Sequence, residues 1–131
     1  MTIAFWCVFV ALLLPYIFSV LARAGVQKSE YVRDPRGFNE GLSGWHRRAH
    51  FAQLNAFEAF PAFAAAVVIA HIAGTPQPRL DAAAVAFVVF RVLHGGFYLA
   101  DKPALRSASW QAGMLCIVVL FVFAALAGAS E

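Results

Sequence analysis

Apolar residues in this chain do not recur every second or every third to fourth position; they run on for about twenty residues at a time. Crossing a bilayer core takes about 20 predominantly apolar residues in a helix. Four stretches meet that length, at 2–22, 49–73, 80–100 and 107–130. The first and last contain no charge, whereas the second holds His50, Gln53, Asn55, Glu58 and His71, and the third holds Asp81, Arg91 and His94. The pattern predicts an all-α membrane protein, a single domain over 1–131 folded as a four-helix transmembrane bundle. The first run is expected to be a span and not a signal peptide, for no basic residue precedes it and its apolar core is too long.

Breakers separate the runs. Gly74-Thr75-Pro76-Gln77-Pro78 predicts a tight turn between spans two and three, and Asp101-Lys102-Pro103 another between spans three and four. The 23–48 segment is longer and carries Asp34-Pro35-Arg36-Gly37, Gly41 and Gly44 as turn formers. Composition agrees: 62% of residues are hydrophobic and 13% charged, with a mean hydropathy of +0.72. Soluble domains carry roughly 25% charged residues, and a fold this small buries only about two-thirds of its chain. A soluble enzyme, a disordered tail and a nucleic-acid binder are excluded.

The net charge of +3 changes the picture only by its distribution. Arg23, Lys28, Arg33, Arg36, Arg47 and Arg48 lie in the first loop, Lys102 and Arg106 in the third, and Arg79 alone in the second. Short cytoplasmic loops collect Lys and Arg, so loops 23–48 and 101–106 are expected in the cytoplasm and both termini outside. Cys7 and Cys116 each sit inside an apolar run, and no short-spaced metal-ligand pattern occurs.

Ionisable groups inside a membrane are costly and tend to face a bundle interior or a wet cavity. With a rise of about 1.5 Å per residue, Asn55 lies roughly 10 Å below Arg48 and Glu58 roughly 15 Å below it. Span three runs the other way, which puts Tyr98 roughly 6 Å and Arg91 roughly 16 Å from Lys102. Arg48, Asn55 and Glu58 read as one stripe, and Arg91, His94 and Tyr98 as another. Arg106 and Ser107 enter from the same side. These groups predict a polar pocket in the cytoplasmic half. A Glu58–Arg91 pair acting only as a structural clamp is the competing reading. His71, near the outer end, and His46 and His50, at the cytoplasmic boundary, are expected to stand apart from the pocket. Gly95 and Gly96 are expected to permit close helix approach.

The segment 48–61, with Asn55, Glu58 and Pro61, resembles the second-helix signature of the MAPEG family, the membrane-associated proteins of eicosanoid and glutathione metabolism. Arg91 with His94 and Tyr98, and Arg106-Ser107, resemble its third- and fourth-helix elements. The resemblance implies a homotrimer with sites between protomers, contacting membrane lipids and a hydrophobic small-molecule substrate. It implies glutathione as cofactor, bound by Arg48, Asn55, Glu58, Arg91, His94 and Tyr98, with Arg106 and Ser107 as catalytic residues and no metal. The implied activity is a glutathione-dependent transferase or peroxidase acting on lipophilic electrophiles. The alternative is a non-catalytic membrane component whose polar cluster is structural; a small exporter of lipophilic cations ranks last, because span one has no Glu. Where glutathione-using relatives carry an Arg four residues before the Asn, this chain has Phe51, and Leu54 adds no charge. The short chain and its compact 34–36 turn look more like bacterial members, which implies the bacterial inner membrane.

Overall fold

The computed structural model describes residues 1–129 and consists of helices α1 (Ile3–Ala22), α2 (Lys28–Arg33), α3 (Pro35–Glu40), α4 (Gly44–Ile72), α5 (Gln77–Leu99) and α6 (Pro103–Gly128). Helices α1, α4, α5 and α6 are each long and apolar enough to cross a membrane. This chain is therefore an all-helical membrane bundle. Helices α4 and α5 pack on each other and on both remaining spans, with α1 and α6 flanking them on opposite sides.

The interface of α4 is a seam of small residues. Ala49, Ala52, Ala56, Ala59, Phe63, Ala66 and Ala70 are all buried, and their spacing alternates three and four. That spacing keeps one line of side chains facing the neighbours. In lipid, where hydrophobicity offers little drive for helix association, such small residues let backbones approach and pack. Phe63 fills the wider middle, its ring stacked on Phe87 of α5 with centroids 3.8 Å apart. No more than a third of any span's apolar core is buried within the protomer, so large side chains such as Phe9, Ile17, Leu115 and Phe121 face outward.

Gly95 brings α5 against α1. A Cβ there would run into the ring of Phe18, whereas one on Gly96 meets nothing within 4 Å. The close-approach expectation thus holds for Gly95 and not for Gly96, which lies a helical step away from the seam. Gly95→Ala is expected to cost roughly 1–3 kcal/mol of stability through overpacking, and Gly96→Ala to be neutral or slightly stabilising. Chemical denaturation of the two variants in one detergent checks this; equal losses would mean that the α1–α5 approach is not tight.

The boundaries differ from the hydropathic ones in an informative way. Span two begins five residues early, at Gly44, because the cationic stretch before Ala49 remains helical beyond the apolar core. Spans three and four start at Gln77 and Pro103, since proline is tolerated in a first helical turn, where its missing N–H would have no partner. The expected end of span four at Ser130 lies outside the described residues. The 23–48 connection is not a plain loop. Asp34 accepts a hydrogen bond from the Gly37 amide at 3.1 Å, and this cap with Pro35 starts α3 immediately after α2.

Both predicted tight turns close in the same way. Thr75 N–H donates to the Ala70 carbonyl and Gly74 N–H to the His71 carbonyl, at 3.0 and 3.1 Å, with Gly74 at φ +78°. After α5, Lys102 N–H donates to the Phe97 carbonyl and Asp101 N–H to the Tyr98 carbonyl, at 3.0 and 3.3 Å, with Asp101 at φ 55°. This paired ending satisfies carbonyls that a helix end would otherwise leave open. At the other face of the bundle Asp81 does the converse: its Oδ1 accepts from the Ala4 amide at 2.8 Å and from Gln77 at 2.7 Å. One carboxylate on α5 thereby caps the first turn of α1.

Candidate polar site at one end of the bundle

The turn between α5 and α6 sets the site. By folding back within three residues, it lays the last turns of α5 beside the first turns of α6. The α4 seam supplies the third wall. A cavity of about 360 Å³ opens there, lined by Asn55, His94, Tyr98, Arg106, Ser107, Trp110 and Gln111. A larger cavity, about 470 Å³, lies at the opposite end between the α4–α5 turn and the end of α6. Arg79 is the single ionisable group in its lining, so the chemistry gathers in the smaller one.

Three contacts organise the polar wall. His94 is buried on α5, and its Nδ1 lies 3.1 Å from the Arg106 carbonyl. A carbonyl only accepts, so Nδ1 carries the hydrogen, and Nε2 of a neutral imidazole is left as an acceptor. That Nε2 is buried with no hydrogen-bond partner among the described residues. The Tyr98 ring stands edge-on to His94 at 5.5 Å. The Arg106 guanidinium lies over the same Tyr98 ring, with Cζ 4.6 Å from the centroid. Tyr98 thus positions Arg106 through its π-face, and the guanidinium keeps its N–H groups for a ligand.

The remaining expected site residues go elsewhere. Arg91 is 4% exposed, and its Nη2 donates to Asn55 Oδ1 at 2.7 Å. It lies beneath the cavity, where it also forms part of a narrow cleft with Phe87 and Ala56. The single-stripe reading of Asn55 and Glu58 does not hold: Asn55 is half-buried and Glu58 is exposed on the outer face. Three residues advance a helix by about 300°, leaving them roughly 60° apart, enough at this interface to separate inside from outside. No direct Glu58–Arg91 ion pair forms among the described residues: Asn55 holds the guanidinium by hydrogen bond, and Glu58 acts on it only as a more distant charge. Arg48 is occupied at the bundle end, where its Nε donates to the Leu99 carbonyl at 3.3 Å and closes the end of α5. The neighbouring Arg47 lies over the Phe51 ring at 5.1 Å.

The histidines outside the cavity also find partners. His46 Nε2 donates to the Ala24 carbonyl at 2.8 Å, which ties the two ends of the 23–48 segment together. His50 lies 3.5 Å from Gln53 Oε1, and His71 packs edge-on against Phe5 at 4.9 Å. Cys7 and Cys116 are free and buried. Among the described residues no cluster could hold a metal ion.

Trp110 and Gln111 are the lining residues that sequence reasoning missed. They lie three and four positions after Ser107, one helical turn on, and that spacing from Arg106-Ser107 was the available signal. The tryptophan adds an apolar rim and the glutamine both a donor and an acceptor. The cavity therefore offers a cation, a hydroxyl, two amides and a phenol beside an aromatic edge, with the buried His94 imidazole in its wall. Such a lining suits a small polar anion whose reactive end borders lipid. A family model for the MAPEG family matches residues 3–126 of the chain. No curated protein and no solved structure matches it significantly.

Proposed function

Because the chain belongs to the MAPEG family, we propose that it is a glutathione-dependent transferase or peroxidase acting on lipophilic electrophiles dissolved in the membrane. Family membership supports the coarser statement, a membrane protein related to glutathione and eicosanoid metabolism. The observation that carries the finer one is the Arg106 guanidinium, held on Tyr98 and facing a cavity that Ser107, Asn55 and Gln111 also line. Glutathione has two carboxylates, an amine and a thiol. Arg106 can neutralise a carboxylate or favour the thiolate, the nucleophilic form. Ser107 can donate to the sulfur, and Asn55 and Gln111 can bond the peptide amides. The buried Nε2 of His94 has no hydrogen-bond partner among the described residues and can accept from a ligand N–H or O–H that reaches it. Trp110 borders the lipid-facing side, where an apolar electrophile would approach. In the transferase reaction the thiolate sulfur forms the C–S bond and the electron pair leaves on the departing group. In the peroxidase reaction the thiolate takes the outer hydroperoxide oxygen, releasing the alkoxide, and a second glutathione converts the sulfenic acid to disulfide and water.

Glutathione titrated into the detergent-purified protein tests the reading. At 100 times the dissociation constant a specific ligand adds about 2.7 kcal/mol, read as a rise in thermal midpoint that S-methylglutathione reproduces and glycine does not. No rise at saturating glutathione would favour the non-catalytic component, whose polar groups only hold the bundle.

The assembly belongs to the same proposal. Glu58 is an exposed carboxylate in the middle of a span, and lipid is a poor place for it. Neighbouring copies in a homotrimer would cover it; a single-chain mass by detergent-corrected sedimentation would overturn that. The resemblance to bacterial members supports a position in the bacterial inner membrane, and the loop charges support an orientation with both termini outside. A reporter fused at either end should then read as external, and a cytoplasmic signal would reverse the orientation.

A further inference from the structure

At the same end of the bundle, but outside the polar site, lies a second cavity, and we infer that it is a binding site for the headgroup of an anionic phospholipid. It has a volume of about 380 Å³ and is lined by Arg23, Val26, Gln27, Lys28, Tyr31 and Phe38. That volume lies within the roughly 300–1,000 Å³ usual for small-ligand sites.

Its position follows from α1. The helix ends at Ala22, so Arg23 stands at the boundary where the apolar core stops. Ser19, one turn back, holds it: Arg23 Nη2 donates to Ser19 Oγ at 2.8 Å and Nε to the Ser19 carbonyl at 3.1 Å. The guanidinium lies 4.0 Å from the centroid of the Tyr31 ring, and Tyr31 meets Phe38 edge-on at 5.7 Å. One wall of the cavity is therefore a fixed cation stacked on an aromatic pair. Lys28 adds a second cation, exposed and on a mobile stem. No carboxylate lines the cavity.

Charge and apolar surface select the occupant. The 23–48 segment carries six Lys and Arg against Glu30, Asp34 and Glu40, which matches the excess of +3 of the whole chain. Its arginines with side-chain contacts use neutral partners: Ser19 for Arg23, the Phe51 ring for Arg47 and the Leu99 carbonyl for Arg48. Their charge is left to attract an external anion. Neither α2 nor α3 buries a residue, and Val32 is 65% exposed, so this short helical pair has an apolar side that the bundle does not cover. Both ends of the segment are tethered to spans at the membrane boundary. A phosphate with acyl chains supplies what each part lacks, an anion for Arg23 and Lys28 and hydrocarbon for Tyr31, Val32 and Phe38. Clusters of Lys and Arg beside a span, with interfacial aromatic rings, are suited to anionic lipid.

The test is native mass spectrometry of the full-length protein in detergent, titrated with dioleoylphosphatidylglycerol or dioleoylphosphatidylcholine. The wild type should retain the phosphatidylglycerol preferentially. Lys28→Gln should cut that preference about five-fold, the effect of one cation near an anionic surface. Arg79→Gln, the same charge change at the opposite end, should leave it intact, and millimolar inorganic phosphate should not displace the lipid. An unchanged preference in Lys28→Gln would overturn the proposal, as would equal losses in both variants, which would indicate net charge alone. Displacement by inorganic phosphate would assign the cavity to a soluble anion instead.

Discussion

Arg106→Leu should abolish thiolate formation by bound glutathione while leaving expression and assembly nearly intact. Arg106 is half-buried at the first turn of α6, where its guanidinium can stay hydrated without ligand. The contact that ties this turn to α5 is made by the Arg106 backbone carbonyl, which accepts from His94, and a side-chain change does not remove it. What is lost for stability is the contact with the Tyr98 ring, about 0.5–1 kcal/mol at an exposed site. For the ligand the loss is larger. A free thiol with an ordinary pKa of about 8.5 is only about 3% thiolate at pH 7. A fall of about two units, or 2.7 kcal/mol of differential stabilisation, raises that to about three-quarters. Ultraviolet absorbance of glutathione bound to the wild type should show such a fraction, and the Leu variant should return it to a few per cent. Arg106→Lys should fall between, because a point charge remains but the planar stacking on Tyr98 is lost. A Leu variant that forms thiolate as readily as wild type would leave Arg106 as a boundary cation and favour the non-catalytic reading.

Asn55→Leu should be among the most destabilising single changes in the bundle, by about 2–4 kcal/mol. Arg91 is buried between α4, α5 and α6, and the Asn55 amide oxygen is its hydrogen-bonding partner among the described residues. A hydrogen bond to a charged group contributes about 1.5–3 kcal/mol, and stranding the buried cation adds to its loss. Replacing both residues, as Asn55→Leu with Arg91→Met, should be milder than Asn55→Leu alone, because no buried charge is left unmatched. Glu58→Gln should cost less than Asn55→Leu, for Glu58 lies on the outer face and acts on Arg91 only as a distant charge, without a hydrogen bond. Equilibrium denaturation in detergent reads all four proteins. A loss for Glu58→Gln as large as that for Asn55→Leu would restore the clamp that the geometry replaces.

How much of this was legible without the fold divides along a physical line. Span number, helix type and the two tight turns were readable from the sequence, because hydrocarbon thickness sets a length that apolar runs must match, and the clustered turn formers Gly74-Thr75-Pro76 and Asp101-Lys102-Pro103 end those runs. The depth of Asn55, His94, Tyr98, Arg106 and Ser107 was readable too, since rise per residue is nearly constant. Rotation about the helix axis was not. Whether Glu58 faces inward with Asn55 depends on where the alanine seam of α4 meets α5, and a 60° offset decides it. Partner choice was also beyond the sequence. Arg48, Arg91 and Glu58 have the charges expected of a binding site, yet Arg48 closes the end of α5 and Arg91 is taken by Asn55. Long side chains can reach several acceptors, and only packing selects among them. The sequence determined a four-span helical bundle with polar groups at one level; the tertiary structure decided which of those groups share a cavity, because that depends on helix rotation and close approach, which composition and spacing leave free.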